Sequence, residues 1–127
     1  MEINDITYKI IGAVYKVYNN LGPGLLESAY KIAMVHELSK QNIKVDTEVS
    51  IDIEYDGEPI KNVYRIDLLV EDSVVVELKS VSKLKDIHHK QLLTYMKLAK
   101  KPVGLLVNFN TTNIRTSICR KIISISK

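Results

Sequence analysis

The sequence predicts an α/β domain with a mixed β-sheet and helices on its faces. Three observations predict it. Two segments with apolar residues at helical spacing open the chain, three alternating or β-branched stretches follow, and a third helical pattern then leads into one more apolar run.

The first helix is expected to start after Asn4 or Asp5, either of which is a good N-cap. Ile6, Ile10, Ala13, Val14, Val17 and Leu21 recur at helical spacing, and Leu21-Gly22-Pro23-Gly24 stops the pattern. A second helix is expected from about Leu25 to Lys40, with Leu26, Ala29, Tyr30, Ala33, Val35 and Leu38 supplying its buried surface. Val45, Val49, Ile51, Ile53 and Tyr55 then keep odd positions apolar up to the turn dipeptide Asp56-Gly57, and Tyr64, Ile66, Leu68 and Val70 alternate in the next strand. Val74 to Leu78 is a β-branched run, expected to be a central strand covered on both faces. Asp86 to about Lys100 reads as a helix whose apolar side carries Leu84, Ile87, Leu92, Met96 and Ala99. Lys101-Pro102 breaks it, and Val103 to Val107 is a further buried strand. Ile114 to Ile125 fits either one or two short strands or a last helical piece.

The 127 residues fit one domain, 1–127, with no repeat, linker or low-complexity tract. A net charge of +3 is compatible with a phosphate-rich partner without demanding one. Cys119 is the single cysteine and cannot form an internal disulfide, so a reducing compartment, the cytoplasm, is expected. Cys119 itself reads as a small buried apolar residue. The N-terminus has no secretory pattern, and no membrane span is expected.

The chemistry concentrates in Arg65-Ile66-Asp67-Leu68-Leu69-Val70 and Val74-Val75-Val76-Glu77-Leu78-Lys79. With Glu71-Asp72-Ser73 as a three-residue hairpin loop, Val70 faces Val74, Asp67 faces Glu77, and Arg65 faces Lys79. Asp67, Glu77 and Lys79 then project to one face, and directly opposed residues have Cβ atoms about 4.5–5.5 Å apart. Opposed carboxylates among valines and leucines repel and are poorly solvated. A divalent cation such as Mg²⁺ relieves that, since it favours one or two carboxylates and keeps waters. Such a metal polarises a phosphoryl oxygen and activates water. Lys79 suits charge building on phosphorus, and the Leu78 carbonyl lies within reach as a further ligand. The same spacing also fits a hairpin with a solvated charged face. Glu27 opens the second helix, where a carboxylate is favoured by the helix dipole in any case. Gln91 and Tyr95 share a face of the third helix, and Gln91 interrupts its apolar stripe, so the amide needs a partner in a site or on the backbone.

The ordered set Gly24-x-x-Glu27-x-x-Tyr30, Arg65-Ile66-Asp67, Glu77-Leu78-Lys79 and Gln91-x-x-x-Tyr95 resembles the RecB-like branch of the PD-(D/E)XK nuclease superfamily. More closely, it resembles the small family named after its GxxExxY motif. The resemblance runs from about Ile6 to Ile123 and includes His88-His89-Lys90-Gln91 and Val107-Asn108-Phe109-Asn110. One departure is Ile66, where a proline is expected before the aspartate. The resemblance implies a restriction-endonuclease-like αβββαβ core and a Mg²⁺ or Mn²⁺ site. Asp67 and Glu77 would be metal ligands, Lys79 the catalytic lysine, and Glu27 an extra acidic ligand acting through water. Gln91 and Tyr95 would position the site or the substrate backbone. The implied activity is metal-dependent hydrolysis of nucleic acid, DNA ahead of RNA. The alternative is a binding module for nucleic acid or protein that keeps the fold without cutting. A homodimer with paired sites is a further expectation.

His88, one turn before Gln91, reads as a cap or as a residue facing the site, and His36 and His89 read as surface residues. Lys83, Lys85, Lys90, Lys97, Lys100 and Lys101 fit a phosphate track or a solvated face, as do Arg115, Arg120 and Lys121. No zinc spacing, phosphate-cradling loop or serine-hydrolase elbow occurs.

Overall fold

The computed structural model describes residues 1–125. Helices α1 (Ile3–Leu21) and α2 (Glu27–Ser39) precede a meander of β1 (Val45–Tyr55), β2 (Glu58–Val70) and β3 (Val74–Lys79). Helix α3 (Asp86–Ala99) then crosses to β4 (Val103–Asn108), and a 3₁₀ turn at Ile114–Ser117 leads into β5 (Ile118–Ile122). The strands lie in one sheet in chain order, β1-β2-β3-β4-β5. Only β3 and β4 are parallel neighbours, and α3 is the crossover that a parallel pair requires. The mixed sheet with flanking helices is the predicted restriction-endonuclease-like α/β arrangement, and the undecided C-terminal stretch divides into a turn and an edge strand.

Two cores sandwich the sheet. Ile10 and Val14 of α1 and Tyr30, Met34 and Leu38 of α2 pack on Leu68, Val70, Val74, Val76, Leu78, Leu105 and Val107. On the other face Leu92, Tyr95 and Met96 of α3 pack on Ile66, Leu69, Val75 and Leu106. The central strands β3 and β4 are buried on both faces, as their β-branched and apolar runs require.

Several side chains depart from the sequence pattern. Helix α1 starts before Asn4 and Asp5, with Glu2 at the N-cap and no side-chain cap, because Ile3 joins the core and the added residues bury it. Asn4 instead accepts a hydrogen bond from Arg120 at 2.8 Å. Leu26 precedes α2 and is 77% exposed, so it adds nothing to that helix's buried face. Ile87 is 64% exposed. It lies five residues before Leu92, which at 3.6 residues per turn is off the apolar stripe. Cys119 and His89 are half-buried rather than fully buried and fully exposed, respectively.

The largest departure is in β1 and β2. Residues two apart on a strand share a face. Yet Leu68 packs with the α1/α2 core and Ile66 with the α3 core. In β1, Val45 sides with the first core and Val49 with the second. The reversal falls at Glu48 and Asp67. The ladder registers Thr47 with Leu68 and Val49 with Ile66, and Glu48 between them has a left-handed φ of 52°. Such a backbone costs a non-glycine residue about 1–2 kcal/mol and survives only where its surroundings hold it. Beyond this point the β1–β2 ribbon continues as an arm that β3 no longer accompanies.

Helix α3 sits on β4 over Gly104. A Cβ there would lie 2.6 Å from Met96 Sδ and 2.9 Å from Leu92 Cδ1, both side chains being fully buried. Gly104→Val is therefore expected to lower stability by about 1–3 kcal/mol through overpacking. A urea unfolding midpoint equal to that of the wild type would contradict this close approach.

Candidate active site

Strands β2 and β3 form the hairpin that the sequence predicts. Val70 pairs with Val74, Leu69 with Val75 and Leu68 with Val76, so the register brings Asp67 opposite Glu77. The backbone ladder ends there. In its place the N–H of Asp67 donates to Glu77 Oε2 at 2.8 Å, and the N–H of Leu78 donates to Asp67 Oδ2 at 2.8 Å. Each carboxylate thus reaches across to the facing strand and accepts a bond that a carbonyl would normally take. Arg65, expected opposite Lys79, is instead registered only with Ser50 of β1, because β2 and β3 separate beyond the carboxylate pair.

Glu77 is 2% exposed, and the Asp67 side chain 21%. Burial, followed by the neighbouring Asp67 charge, pushes the Glu77 carboxyl up to about 8. Burial also raises Asp67, against the Leu78 N–H and the Lys31 and Lys79 charges, which favour its ionised form. Lys31 and Lys79 are the positive charges acting on the pair. One oxygen of each acid is held by backbone, which leaves Asp67 Oδ1 and Glu77 Oε1 for other partners.

Glu77 and Lys79 alternate with Val76 and Leu78, which face the α1/α2 core, so both project toward α3. There Lys79 Nζ donates to Gln91 Oε1 at 3.0 Å, and Gln91 Nε2 donates to the Tyr95 hydroxyl at 2.8 Å. The amide that interrupts the apolar stripe of α3 therefore has its partners in side chains. Burial and the Glu77 charge raise the Tyr95 hydroxyl above its ordinary value. The Tyr64 ring leans on Tyr95 with centroids 5.4 Å apart. Tyr64, Lys79, His88, Gln91 and Tyr95 line an open cavity of about 480 Å³. His88 Nδ1 accepts the Lys85 N–H at 2.9 Å, so this histidine caps α3 while bordering the cavity. Leu78 has its N–H turned toward β2. In an antiparallel pair a residue's N–H and C=O face the same neighbour, so the Leu78 carbonyl opens into the same gap.

The start of α2 is held over this gap. The Tyr30 hydroxyl donates to the Gly22 carbonyl at 2.6 Å and accepts the Leu25 N–H at 3.1 Å, and its ring stacks on Phe109 at 4.3 Å. Ser80, next to Lys79, donates to the Leu25 carbonyl at 2.6 Å. Glu27 is exposed, and its charge adds to the repulsion felt by Asp67. Asp67 and Glu77 are brought together, whereas Glu27 stays outside. Among the described residues, no group of three or more His, Cys, Asp or Glu is arranged to hold a metal ion.

Four contributors carry no role in the sequence reading, where Asn108 appears only within the Val107–Asn110 stretch of the resemblance. Lys31 Nζ bonds Glu48 and lies 3.8 Å from Asp67 Oδ1. Its spacing of four from Glu27 on a helix was the available signal. Glu48 carried none, since its role follows from a backbone reversal. Asn108 clamps the segment after β3, accepting the Val81 N–H at 3.1 Å and donating to the Val81 carbonyl at 2.9 Å. Ser80 ties that same segment to α2.

The carboxyl shifts have a consequence for stability. With Glu77 raised to about 8 in the folded chain, the native state keeps a proton that the unfolded chain releases near its ordinary 4.5. The associated stability is fully present below that lower value and is lost as pH rises toward 8. In chelator, the melting temperature is expected to fall between pH 5 and pH 8, and Glu77→Gln to flatten that slope. Parallel slopes for the two proteins would remove Glu77 as the cause.

Comparison with known proteins agrees with this geometry. Residues 4–121 match the family model described as the PD-(D/E)XK nuclease superfamily. No curated protein and no solved structure matches the chain. A match across nearly the whole length accompanies an acid at the end of one strand and an acid–x–lysine on the next, in a mixed sheet flanked by helices. On these grounds the chain belongs to the PD-(D/E)XK nuclease superfamily.

Proposed function

We propose that this chain is a divalent-metal-dependent nuclease that hydrolyses phosphodiester bonds, with DNA the expected substrate ahead of RNA. One observation carries the reading. A buried and a half-buried carboxylate, mutually repelling, each turn one oxygen to backbone, and a lysine two residues from Glu77 is held by an amide that a tyrosine holds in turn. The donor chemistry fits a hard cation. Asp67, Glu77 and the Leu78 carbonyl would supply hard oxygen ligands, and Glu27 would join through a water. Mg²⁺ or Mn²⁺ bound there supplies Lewis-acid polarisation of a phosphoryl oxygen and an activated water.

The chain's own residues do the rest. Gln91 takes one direction of the Lys79 ammonium and leaves its other protons for the phosphate, where they offset charge growing on the phosphoryl oxygens. Gln91 is in turn held by Tyr95, so the lysine needs little reorganisation as the reaction proceeds. Tyr64 and His88 wall the cavity beside Lys79 and are placed to border the substrate backbone. The Gly24-x-x-Glu27-x-x-Tyr30 and Gln91-x-x-x-Tyr95 sets support the GxxExxY family on the RecB-like branch. We read residues 1–127 as one such domain. No helix among the described residues is long and apolar enough to cross a membrane. The lone Cys119 supports a cytoplasmic setting.

A second reading is a module that binds nucleic acid or protein without cutting it, since Glu27 is exposed and takes no part in the bonds that join Asp67 and Glu77. Cleavage assays across single- and double-stranded DNA and RNA separate the two. The nuclease reading expects cutting that stops with chelator and falls about 100-fold or more in Lys79→Ala. Cutting that survives both treatments would sink the assignment of this site, and tight binding without turnover, indifferent to Lys79→Ala, would favour the second reading. Calorimetric titration with Mg²⁺ addresses the acidic pair directly. Asp67→Asn is expected to weaken binding by more than about tenfold. Equal affinity in the two proteins would place the cation elsewhere.

A further inference from the structure

Lys31 stands at the acidic pair but belongs to no motif of the chain. It projects from α2, one turn after Glu27, and its side chain is 20% exposed. Its ammonium bonds Glu48 and lies 3.8 Å from Asp67 Oδ1, the one oxygen of Asp67 without a backbone donor. Its charge also acts on Glu77. Glu48 is the residue of β1 that lies across from Asp67 and carries the left-handed backbone. That unfavourable conformation interrupts the alternation of β1 at the one position from which a carboxylate meets Lys31. The ammonium therefore has one hydrogen-bonded acceptor, Glu48 beside the acidic pair, and one ion-pair neighbour inside it, Asp67.

We infer that Lys31 is a built-in counter-ion that shares Asp67 Oδ1 with the divalent cation and, when the cation binds, moves off Asp67 while keeping the Glu48 bond it already makes. The inference rests on the metal reading above. The physical argument is one of exchange. A buried carboxylate pair with no compensating charge is costly, and a lysine on a four-carbon stem supplies that charge while remaining able to leave. Glu48 lowers the cost of leaving, because the ammonium keeps one ionic partner in either position. A fixed arginine at the same point would hold Asp67 with a planar fork and would not release it as readily.

The arrangement makes a specific statement about coupling. Removing Lys31 removes a competitor, so Lys31→Met is expected to bind Mn²⁺ on the order of tenfold more tightly than the wild type. Its melting temperature should fall in chelator and return toward the wild-type value in saturating Mn²⁺. Glu48→Gln removes the retreat, so it should bind Mn²⁺ more weakly. Glu48 acts through Lys31, so Glu48→Gln should have no further effect once Lys31 is already Met. A mere loss of nearby negative charge would instead weaken binding equally in both backgrounds.

The experiment is calorimetric titration of the metal-stripped full chain with Mn²⁺ for wild type, Lys31→Met, Glu48→Gln and the double variant, with thermal melts in parallel. Tighter binding in Lys31→Met together with non-additivity in the double variant supports the exchange. If the wild type binds Mn²⁺ and Lys31→Met binds it equally or less tightly, the exchange is wrong and the metal reading stands. If the folded wild type and Lys31→Met both fail to bind, both readings fall together. Should Lys31→Met not fold, Lys31→Gln takes its place in the single and the double variant, and affinity equal to or below that of the wild type overturns the proposal.

Discussion

The structure turns on the exchange between Asp67 and Glu77, in which each carboxylate binds a backbone N–H of the other's strand. Two like charges directly across a hairpin would ordinarily push the strands apart. Here the separation is put to use. The ladder stops one residue short, the carboxylates fill the opening, and the strands stay joined through side chains instead of carbonyls. The exchange leaves one oxygen of each acid without a backbone donor, next to the buried Leu68–Val76 pair.

What surrounds the pair follows from that opening. Beyond it, β2 has only β1 for company, and both strands reverse their facing at Glu48 and Asp67. On the α3 side, Lys79, Gln91 and Tyr95 form a chain of donors and acceptors that reaches from the sheet to the helix. On the α2 side, Tyr30 and Ser80 fasten the helix entrance by bonds to the carbonyls of Gly22 and Leu25. Gly22 has a φ of 67° and Gly24 of 99°, so this tight entrance needs glycine at both points. Tyr30 is thus a support for the site rather than a participant, which explains why a tyrosine three residues after Glu27 can be fully buried.

Much of this was legible in the residues. Helical spacing located α1, α2 and α3 within a few residues. The β-branched run located β3, and the three-residue loop set the register that aligns Asp67 with Glu77. Those features are local, so short-range pattern carries them. The failures in β1 and at its contacts share one origin. A period of two assumes that a strand keeps its facing, and Glu48 breaks that assumption with a backbone conformation no composition signals. The odd-position stripe therefore puts Val45 in one core and Val49 and Ile51 in the other, leaves Tyr55 exposed, and gives no sign of the partners that meet across the reversal, Lys31 with Glu48 and Asp67. Asn108 escaped for a similar reason, since its bonds to Val81 join segments far apart in the chain.

The separations along the chain also differ sharply within the site. The bonds from Asp67 to Glu77, Asp67 to Leu78 and Lys79 to Gln91 span only 10, 11 and 12 residues. The tie from Ser80 to Leu25 spans 55. Closing short loops loses little chain entropy, so the hairpin and the following helix can reach their mutual arrangement early. The N-terminal helices must travel farther before they are rewarded. In folding terms the acids and Lys79 belong to a nearly contiguous kernel, and α2 arrives over it, bringing Lys31 from farther away in the chain.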